Sequence, residues 1–248
     1  MCRMTWRLVV VSIAAVGMVS CGTDSANRLH SGDVWIQDVT LVSPERPGPV
    51  PHAHVVIREA RIVSVSIEAP ASAGPGITVI PGAGKYLVPG LIDGHVHLAS
   101  VPGMLPDQEA AMPEVVAEYD RQSPRSYLYF GFTAVVDLNV VDRSRLDRLK
   151  AADPGPAIAD CGNALALANG YPMVYRPPAT RFDAYPNFLY DPAQKDTIPK
   201  KFDPADHSPD AAVGRVAAGG GSCVKAHYEP GFDPALGKLP VPTVSLIG

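Results

Sequence analysis

The sequence predicts an α/β protein in which a small β-rich region precedes an alternation of strands and helices. Apolar and polar residues alternate in VWIQDVTLV (34–42), HVVIREARIVSVSI (54–67) and GITVI (76–80), which is typical of half-buried strands in an antiparallel sheet. From residue 113 onward, segments with helical spacing alternate with strand-like segments, which indicates βα units around a parallel sheet. The hydrophobic content of 46% over 248 residues is sufficient for a packed core.

The second half of the chain supplies the alternating elements. They are a helix in PEVVAEYDRQSPRSYLYF (113–130), a strand in GFTAVVDLNV (131–140), a helix in RSRLDRLKAA (143–152), a strand in PAIADCGNALAL (156–167), a helix in DAAVGRVAAGG (210–220) and a strand in SCVKAHYE (222–229). A Pro- and Tyr-rich stretch, 171–209, shows little periodicity. Loops of this length are usually functional, such as an active-site lid, or disordered, and both alternatives stay open.

The N-terminus has the order of a secretory signal peptide. MCRMTWR carries two arginines and no acid, LVVVSIAAVGMV is an apolar run short for a membrane span, and VSCG follows. Cys21, between Ser20 and Gly22, resembles a bacterial lipoprotein processing site, which implies removal of residues 1–20 and acylation of Cys21. The alternative is an ordinary signal peptide cleaved nearby. We expect an exported protein, and the lipoprotein reading places it in the cell envelope, in the periplasm or outer membrane, with a lipid anchor.

Export determines how the other features are interpreted. Residues 21–31 are predicted to be a polar tether between the anchor and the fold. Cys161 and Cys223 would lie in an oxidising compartment, where they either pair or remain free buried thiols. The net charge of -4 and the absence of a Lys/Arg cluster exclude an electrostatic site for nucleic acid.

Two His-x-His pairs are candidates for a metal site, because residues i and i+2 of a strand project from the same face. His52 and His54 in VPHAHVVI follow a Pro-rich turn and are predicted at an exposed sheet edge. His95 and His97 in LVPGLIDGHVHLAS end an apolar strand, at the position where parallel barrels build their active sites. We therefore predict a metal site at His95 and His97 and none at the earlier pair.

The segment VIPGAGKYLVPGLIDGHVHL (79–98) resembles the part of the amidohydrolase superfamily in which a small β-sandwich leads into the first barrel strand. VVIREARIVSV (55–65) resembles the sandwich strands, and GFTAVVDL (131–138) resembles the second barrel strand. The imidazolonepropionase-like and prolidase-like members look most similar. The resemblance implies a β-sandwich over 32–86 and the N-terminal part of a barrel over 87–248. The expected fold is thus an incomplete TIM-like (β/α)₈ barrel of about four βα units, since a full barrel takes roughly 250 residues.

In this family two such histidines bind a divalent metal ion, and a lysine carboxylated by CO₂ bridges to a second ion. CVKAHYEPGF (223–232) places Lys225 at the corresponding position, so the resemblance implies that His95, His97 and Lys225 hold one or two ions, most often zinc. An unmodified lysine is a cation at neutral pH and repels a metal, whereas a carbamate has anionic oxygens. The implied activity is hydrolysis of an amide, cyclic amide or peptide-like C–N bond by a metal-activated water. The implied partner is a small-molecule or short-peptide substrate.

The family's later ligands and its catalytic aspartate are expected beyond residue 248. A second hypothesis is therefore a truncated, catalytically inactive lipoprotein that lacks these later ligands. Four further residues are candidates for substrate binding at the same rim, namely Asp137, Asn163, His227 and Tyr228. Cap or turn roles are the alternative for Asp137 and Asn163.

Overall fold

The computed structural model describes residues 28–243. The predicted signal peptide, Cys21 and the first part of the tether lie outside the described residues. The chain divides into two compact units, with the boundary between Pro89 and Gly90.

The first unit contains a mixed sheet with the strand order β3-β2-β1-β4, in which β5 also pairs with β1. The strands are β1 (Val34–Leu41), β2 (Val50–Arg58), β3 (Arg61–Ser66), β4 (Thr78–Pro81) and β5 (Tyr86–Leu87). β1, β2 and β3 are antiparallel as predicted, but β4 and β5 run parallel to β1. The antiparallel prediction is wrong for β4 because the connection 67–77 is long enough to cross the sheet instead of turning back as a hairpin. The sandwich stays a prediction.

An ion pair between the buried Asp33, just before β1, and the partly exposed Arg58 joins the start of β1 to the end of β2. Arg58 donates from Nε to Asp33 Oδ1 at 2.9 Å and from Nη2 to Oδ2 at 2.8 Å. The hydrogen bonds from Arg58 hold the pKa of the Asp33 carboxyl at about 2. A two-point bond of this kind is stronger than a single contact and fixes the register of the two strands.

The second unit is built on a parallel sheet of order β6-β7-β8. Its elements are β6 (Leu91–Val96), α1 (Pro106–Ala111), α2 (Pro113–Tyr129), β7 (Phe132–Asp137), α3 (Arg143–Lys150) and β8 (Ala157–Asp160). Parallel pairing of β6 with β7 and of β7 with β8 confirms the predicted βα units. The helices and the sheet share a core formed by Val96, Leu98, Val135, Val140, Leu146 and Leu149. The result is a mixed α/β architecture.

Beyond β8 the chain continues alongside the segment that carries Lys225. The Leu165 amide donates to the Lys225 carbonyl at 2.7 Å, and the His227 amide donates to the Leu165 carbonyl at 3.0 Å. These bonds form a parallel bridge between Leu165 and Ala226. The strand predicted over 222–229 is therefore reduced to a single bridge, and the barrel of about four βα units stays a prediction.

The Pro- and Tyr-rich stretch is folded, so the disordered alternative is wrong. It contains α4 (Arg181–Ala184) and leads into α5 (Pro209–Ala218). Its aromatic side chains bury one another: Phe188 is fully buried and its ring centroid lies 4.9 Å from that of Phe182. The stretch therefore has an apolar core made by aromatic packing, although its sequence shows neither helical nor strand periodicity.

A disulfide joins Cys161 to Cys223. Of the two alternatives left open for these cysteines, the structure shows the pair. The bond ties the residue that follows β8 to the segment that carries Lys225, and Cys223 lies two positions before that lysine.

We predict that replacing both cysteines, Cys161→Ser with Cys223→Ser, lowers the free energy of unfolding. The bond spans a sequence separation of 62, and closing a loop of that length in the unfolded chain contributes about 4 kcal/mol. Urea denaturation measures the change, and wild-type protein kept reduced should match the double variant. Equal midpoints for oxidised wild type and the double variant would contradict this prediction.

Asp160, at the end of β8, is a second buried ionic centre. Its carboxylate accepts hydrogen bonds from Arg143 at 3.0 Å, from Lys150 at 2.7 Å and from the Gly162 amide at 3.0 Å. Burial opposes ionisation, but these bonds outweigh it and hold the pKa of Asp160 at about 2. α3 is thereby tied to β8 at the edge of the sheet where the strands end.

We predict that this centre makes the fold sensitive to acid. The pKa of Asp160 is lowered from 3.8 to about 2 on folding, so its contribution is complete above about pH 4 and is lost as the pH falls towards 2. Asp160→Asn should remove about 1–2 kcal/mol at pH 7, allowing for solvent around Arg143 and Lys150, and should flatten stability between pH 4 and 2. Urea denaturation across this range measures both effects. The exposed Asp196→Asn is the control, and an unchanged acid slope in Asp160→Asn would refute the assignment.

Candidate functional site

The strand register brings the carboxyl ends of three parallel strands to one edge of the sheet. Val96 of β6 pairs with Asp137 of β7, and Asp137 pairs with Asp160 of β8. Active sites of α/β proteins lie beyond such carboxyl ends. His95 and His97 stand at this edge, and we refer to it as the strand-end rim.

The two histidines lie side by side. Their ring centroids are 5.4 Å apart in an edge-to-face arrangement, and both side chains are exposed to solvent. Asp93 accepts a hydrogen bond from the His95 amide at 3.0 Å and so fixes the backbone before the pair. The arrangement agrees with the same-face projection expected of residues i and i+2.

Lys225 is close enough to act electrostatically on the histidines. Partial desolvation by neighbouring protein atoms lowers the pKa of His97 although its side chain remains exposed. The Asp137 carboxylate opposes this shift, and the positive charges of His95 and Lys225 lower the pKa further. Metal ligation requires the neutral imidazole, so a lowered pKa favours the binding form. The Lys225 side chain is half-buried and forms no salt bridge within the described part of the chain.

His227 is buried beside the same lysine. Its side chain is 9% exposed, and neither ring nitrogen has a hydrogen-bond partner among residues 28–243. Glu229 is near but not bonded, with 4.0 Å between Oε1 and the His227 Nδ1. Burial lowers the pKa of His227 to about 4, and Lys225 acts in the same direction. The neighbouring Tyr228 is 56% exposed.

Asp137 holds the backbone that follows β6 and the backbone that follows β7. It is fully buried, and its oxygens accept from the Leu98 amide at 3.1 Å and from the Asn139 amide at 3.0 Å. The first of these bonds anchors the residue directly after His97. The structure therefore gives Asp137 a positioning role, and its contact with substrate stays a prediction.

Asn163 has a comparable role beyond β8. Its Nδ2 donates to the Val140 carbonyl, and its own carbonyl accepts from Asn187 at 3.1 Å. Asn139 accepts from the amide of Ala164 at 3.0 Å. The sequence does not predict the roles of Asn139 and Asn187, because their hydrogen-bond partners are more than twenty residues away. The local signal is that Asn139 lies two residues after Asp137.

The earlier pair, His52 and His54, does not form a shared site. β2 pairs with both β1 and β3, so the predicted edge position is wrong. His52 has a positive φ of 57°, which breaks the strand alternation. Its side chain is exposed, and its Nδ1 forms a hydrogen bond with Asp38 Oδ1 at 2.8 Å. His54 is buried, and its Nδ1 accepts from the Asp38 amide at 3.3 Å. Each ring has its own environment.

Between residues 28 and 243, no group of three or more His, Cys, Asp and Glu side chains is placed to hold a metal ion. The strand-end rim thus offers two adjacent imidazoles and a nearby lysine. Such a set can supply part of a coordination shell.

Between residues 28 and 243, no helix is long and apolar enough to cross a lipid bilayer.

The curated proteins that are similar to this chain include several adenine deaminases. No protein-family model matches. An adenine deaminase of Ruegeria pomeroyi is 32% identical over 107 residues, covering 43% of this chain and 16% of the relative. An adenine deaminase of Rubrobacter xylanophilus is 43% identical over 65 residues, covering 26% of this chain and 11% of the relative. The chain thus matches only a small part of these curated relatives.

Solved structures resemble the chain over most of its length. A prolidase complexed with N-methylphosphonate-L-proline has a TM-score of 0.56 at 23% identity and covers 86% of this chain and 49% of its own. An amidohydrolase has a TM-score of 0.59 at 22% sequence identity, and the match covers 84% of this chain and 49% of that protein. The A. niger ochratoxinase has a TM-score of 0.56 at 18% identity, and the match covers 81% of this chain and 48% of that protein. At these identities the structural likeness concerns the fold, and the chain spans about half of each neighbour.

We predict that Asp137→Asn destabilises the strand-end rim. Asparagine keeps one acceptor oxygen, so one of the two amides now bound by the carboxylate loses its partner inside the protein. The free energy of unfolding should fall by about 1–3 kcal/mol, and the Leu98 amide should exchange faster with solvent. Urea denaturation and hydrogen exchange measure these changes. Asp107→Asn, exposed on α1, is the control, and equal behaviour of the two variants would disprove the positioning role.

Proposed function

We propose that the chain is part of a metal-dependent hydrolase that cleaves C–N bonds other than typical peptide bonds. The names of the curated relatives and of the structural neighbours support this bond class. The observation that carries the proposal is the adjacency of the His95 and His97 rings at the strand-end rim, with Lys225 near enough to act electrostatically on His97. The activity proposed is that of the whole protein, since the chain spans about half of the structural neighbours.

The donors at the strand-end rim fit a zinc-type ion in part. Two exposed, adjacent imidazoles are borderline-soft nitrogen ligands, which zinc accepts readily. We assign His95 and His97 as ligands of one divalent ion and Lys225, as its carbamate, as a further ligand that could serve a second. A bound ion of this kind lowers the pKa of water and polarises a carbonyl or amidine group.

The protein's own residues prepare this site. Asp137 fixes the backbone directly after His97, and Asp93 fixes the amide of His95. The half-buried Lys225 has no salt-bridge partner in the described chain, so its amine is available for modification. Carboxylation forms a bond between Nζ and the carbon of CO₂. The lysine ammonium group releases two protons in all, one to free the amine and one as the carbamate forms, so that a cation is replaced by an anion.

The substrate is proposed to be a small molecule or short peptide with an amide, cyclic amide or amidine C–N bond. The relatives named adenine deaminases act, by their name, on a purine, and the neighbour named prolidase was solved with a proline phosphonate. Both are compact ring-containing ligands.

We also propose that the protein is exported and anchored through Cys21. The disulfide between Cys161 and Cys223 supports an oxidising compartment, since such bonds persist mainly outside the cytosol. The N-terminal order of basic, apolar and small residues supports a lipoprotein signal.

The experiment is metal analysis of the purified chain. We predict that His95→Ala and Lys225→Ala weaken zinc binding by at least about tenfold, because each removes a ligand. His52→Ala and Lys238→Ala are matched controls at exposed positions and should keep wild-type zinc content. Growth with ¹³C-bicarbonate should give a carbamate resonance that is lost in Lys225→Ala alone. Equal zinc in all five proteins would refute the ligand assignment.

A further inference from the structure

An aromatic cluster lies beside the lysine segment and is not explained by the metal ligands. The loop after Lys225 folds against the first residues of the Pro- and Tyr-rich stretch. The ring of Tyr171 is central, with centroids of His227 at 5.5 Å, Phe232 at 5.2 Å and Tyr175 at 5.8 Å, all nearly perpendicular to it. The Phe232 amide is 3.4 Å from the Tyr175 hydroxyl, which joins the two chain segments. We call these four residues the aromatic subsite.

The outer rings of the aromatic subsite are open to solvent. Phe232 is 73% exposed and Tyr175 is 47% exposed. Each aromatic side chain can bury roughly 150–250 Å² when covered. Two adjacent exposed rings next to polar groups are typical of a ligand surface, whereas single exposed apolar residues need no explanation.

His227 provides an independent observation. This side chain is nine-tenths buried, yet neither of its ring nitrogens has a hydrogen-bond partner in the described part of the chain. A neutral imidazole offers one donor and one acceptor, and leaving them unpaired in a buried place is costly. A polar ligand group that bonds to the ring would remove that cost.

We propose that the aromatic subsite binds the ring of the substrate. Tyr175 and Phe232 cover a planar unsaturated ring, Tyr171 supports both, and His227 bonds to a nitrogen or oxygen at the ring edge. Ligand sites commonly combine aromatic walls with a few such polar groups. The ligand class is a nitrogen heterocycle or an aromatic amide. The inference rests on the proposed function in one respect, namely that the bound ring is part of the substrate that reacts at the strand-end rim.

The test measures binding of adenine to the full chain by calorimetry and saturation-transfer NMR, with N-acetyl-L-proline as a ligand without an aromatic ring. Phe232→Leu and Tyr175→Leu keep apolar side chains but remove the rings. Each should raise the Kd for adenine about five- to tenfold, since aromatic stacking contributes on that scale. His227→Phe should also weaken binding, because it keeps the ring shape and removes both nitrogens. Phe130→Leu is the matched control, since Phe130 is 69% exposed on another part of the unit.

Running every titration with EDTA and again with zinc separates this inference from the proposed function. Adenine binding that survives EDTA and falls in Phe232→Leu supports the subsite even if zinc binding fails. The inference is overturned if adenine does not bind, if it binds no more tightly than N-acetyl-L-proline, or if Phe232→Leu and Phe130→Leu behave alike.

Discussion

The parallel pairing of β6, β7 and β8 determines where the candidate groups on these strands and their turns lie. Because Val96, Asp137 and Asp160 occupy paired positions, the three strands end at one level. The turns that follow them therefore emerge together, which brings His97 and Asn163 to one rim. The Lys225 segment is attached after β8 by the disulfide and by the bridge between Leu165 and Ala226. Without this register, two histidines separated by one residue would be an isolated feature of a strand.

Buried carboxylates maintain that alignment. Asp137 bonds to the amides after β6 and β7, and Asp160 bonds to side chains of α3 and to the amide of Gly162. Both are shielded from solvent, so their hydrogen bonds are strong and costly to leave unmade. The disulfide between Cys161 and Cys223 adds a covalent link at the same place. These bonds hold the rim on the side of β7 and β8, while His95, His97 and the outer rings of the aromatic subsite, Tyr175 and Phe232, are exposed to solvent.

Local patterns were sufficient for the elements but not for their long-range partners. The helices α2 and α3, the strand β7 and the same-face placement of His95 and His97 follow from periodicity and from the residues beside them. The bond from Asp137 to Leu98 joins residues 39 positions apart, and the disulfide spans 62, so neither has a local signal. His52 was misplaced because its positive φ breaks the alternation assumed for a strand. β4 pairs with β1 in parallel because the chain crosses over between β3 and β4. The periodicity of the sequence does not indicate the direction of that crossover.

We propose that His95 and His97 ligate one metal ion, with Lys225 nearby. Crystals of the chain grown with zinc, measured on both sides of the zinc absorption edge, test it directly. The account predicts an anomalous peak bonded to both imidazoles and to a carboxylated Lys225. A peak at any other histidines with none at His95 and His97, or an unmodified Lys225 turned away from the ion, would contradict it.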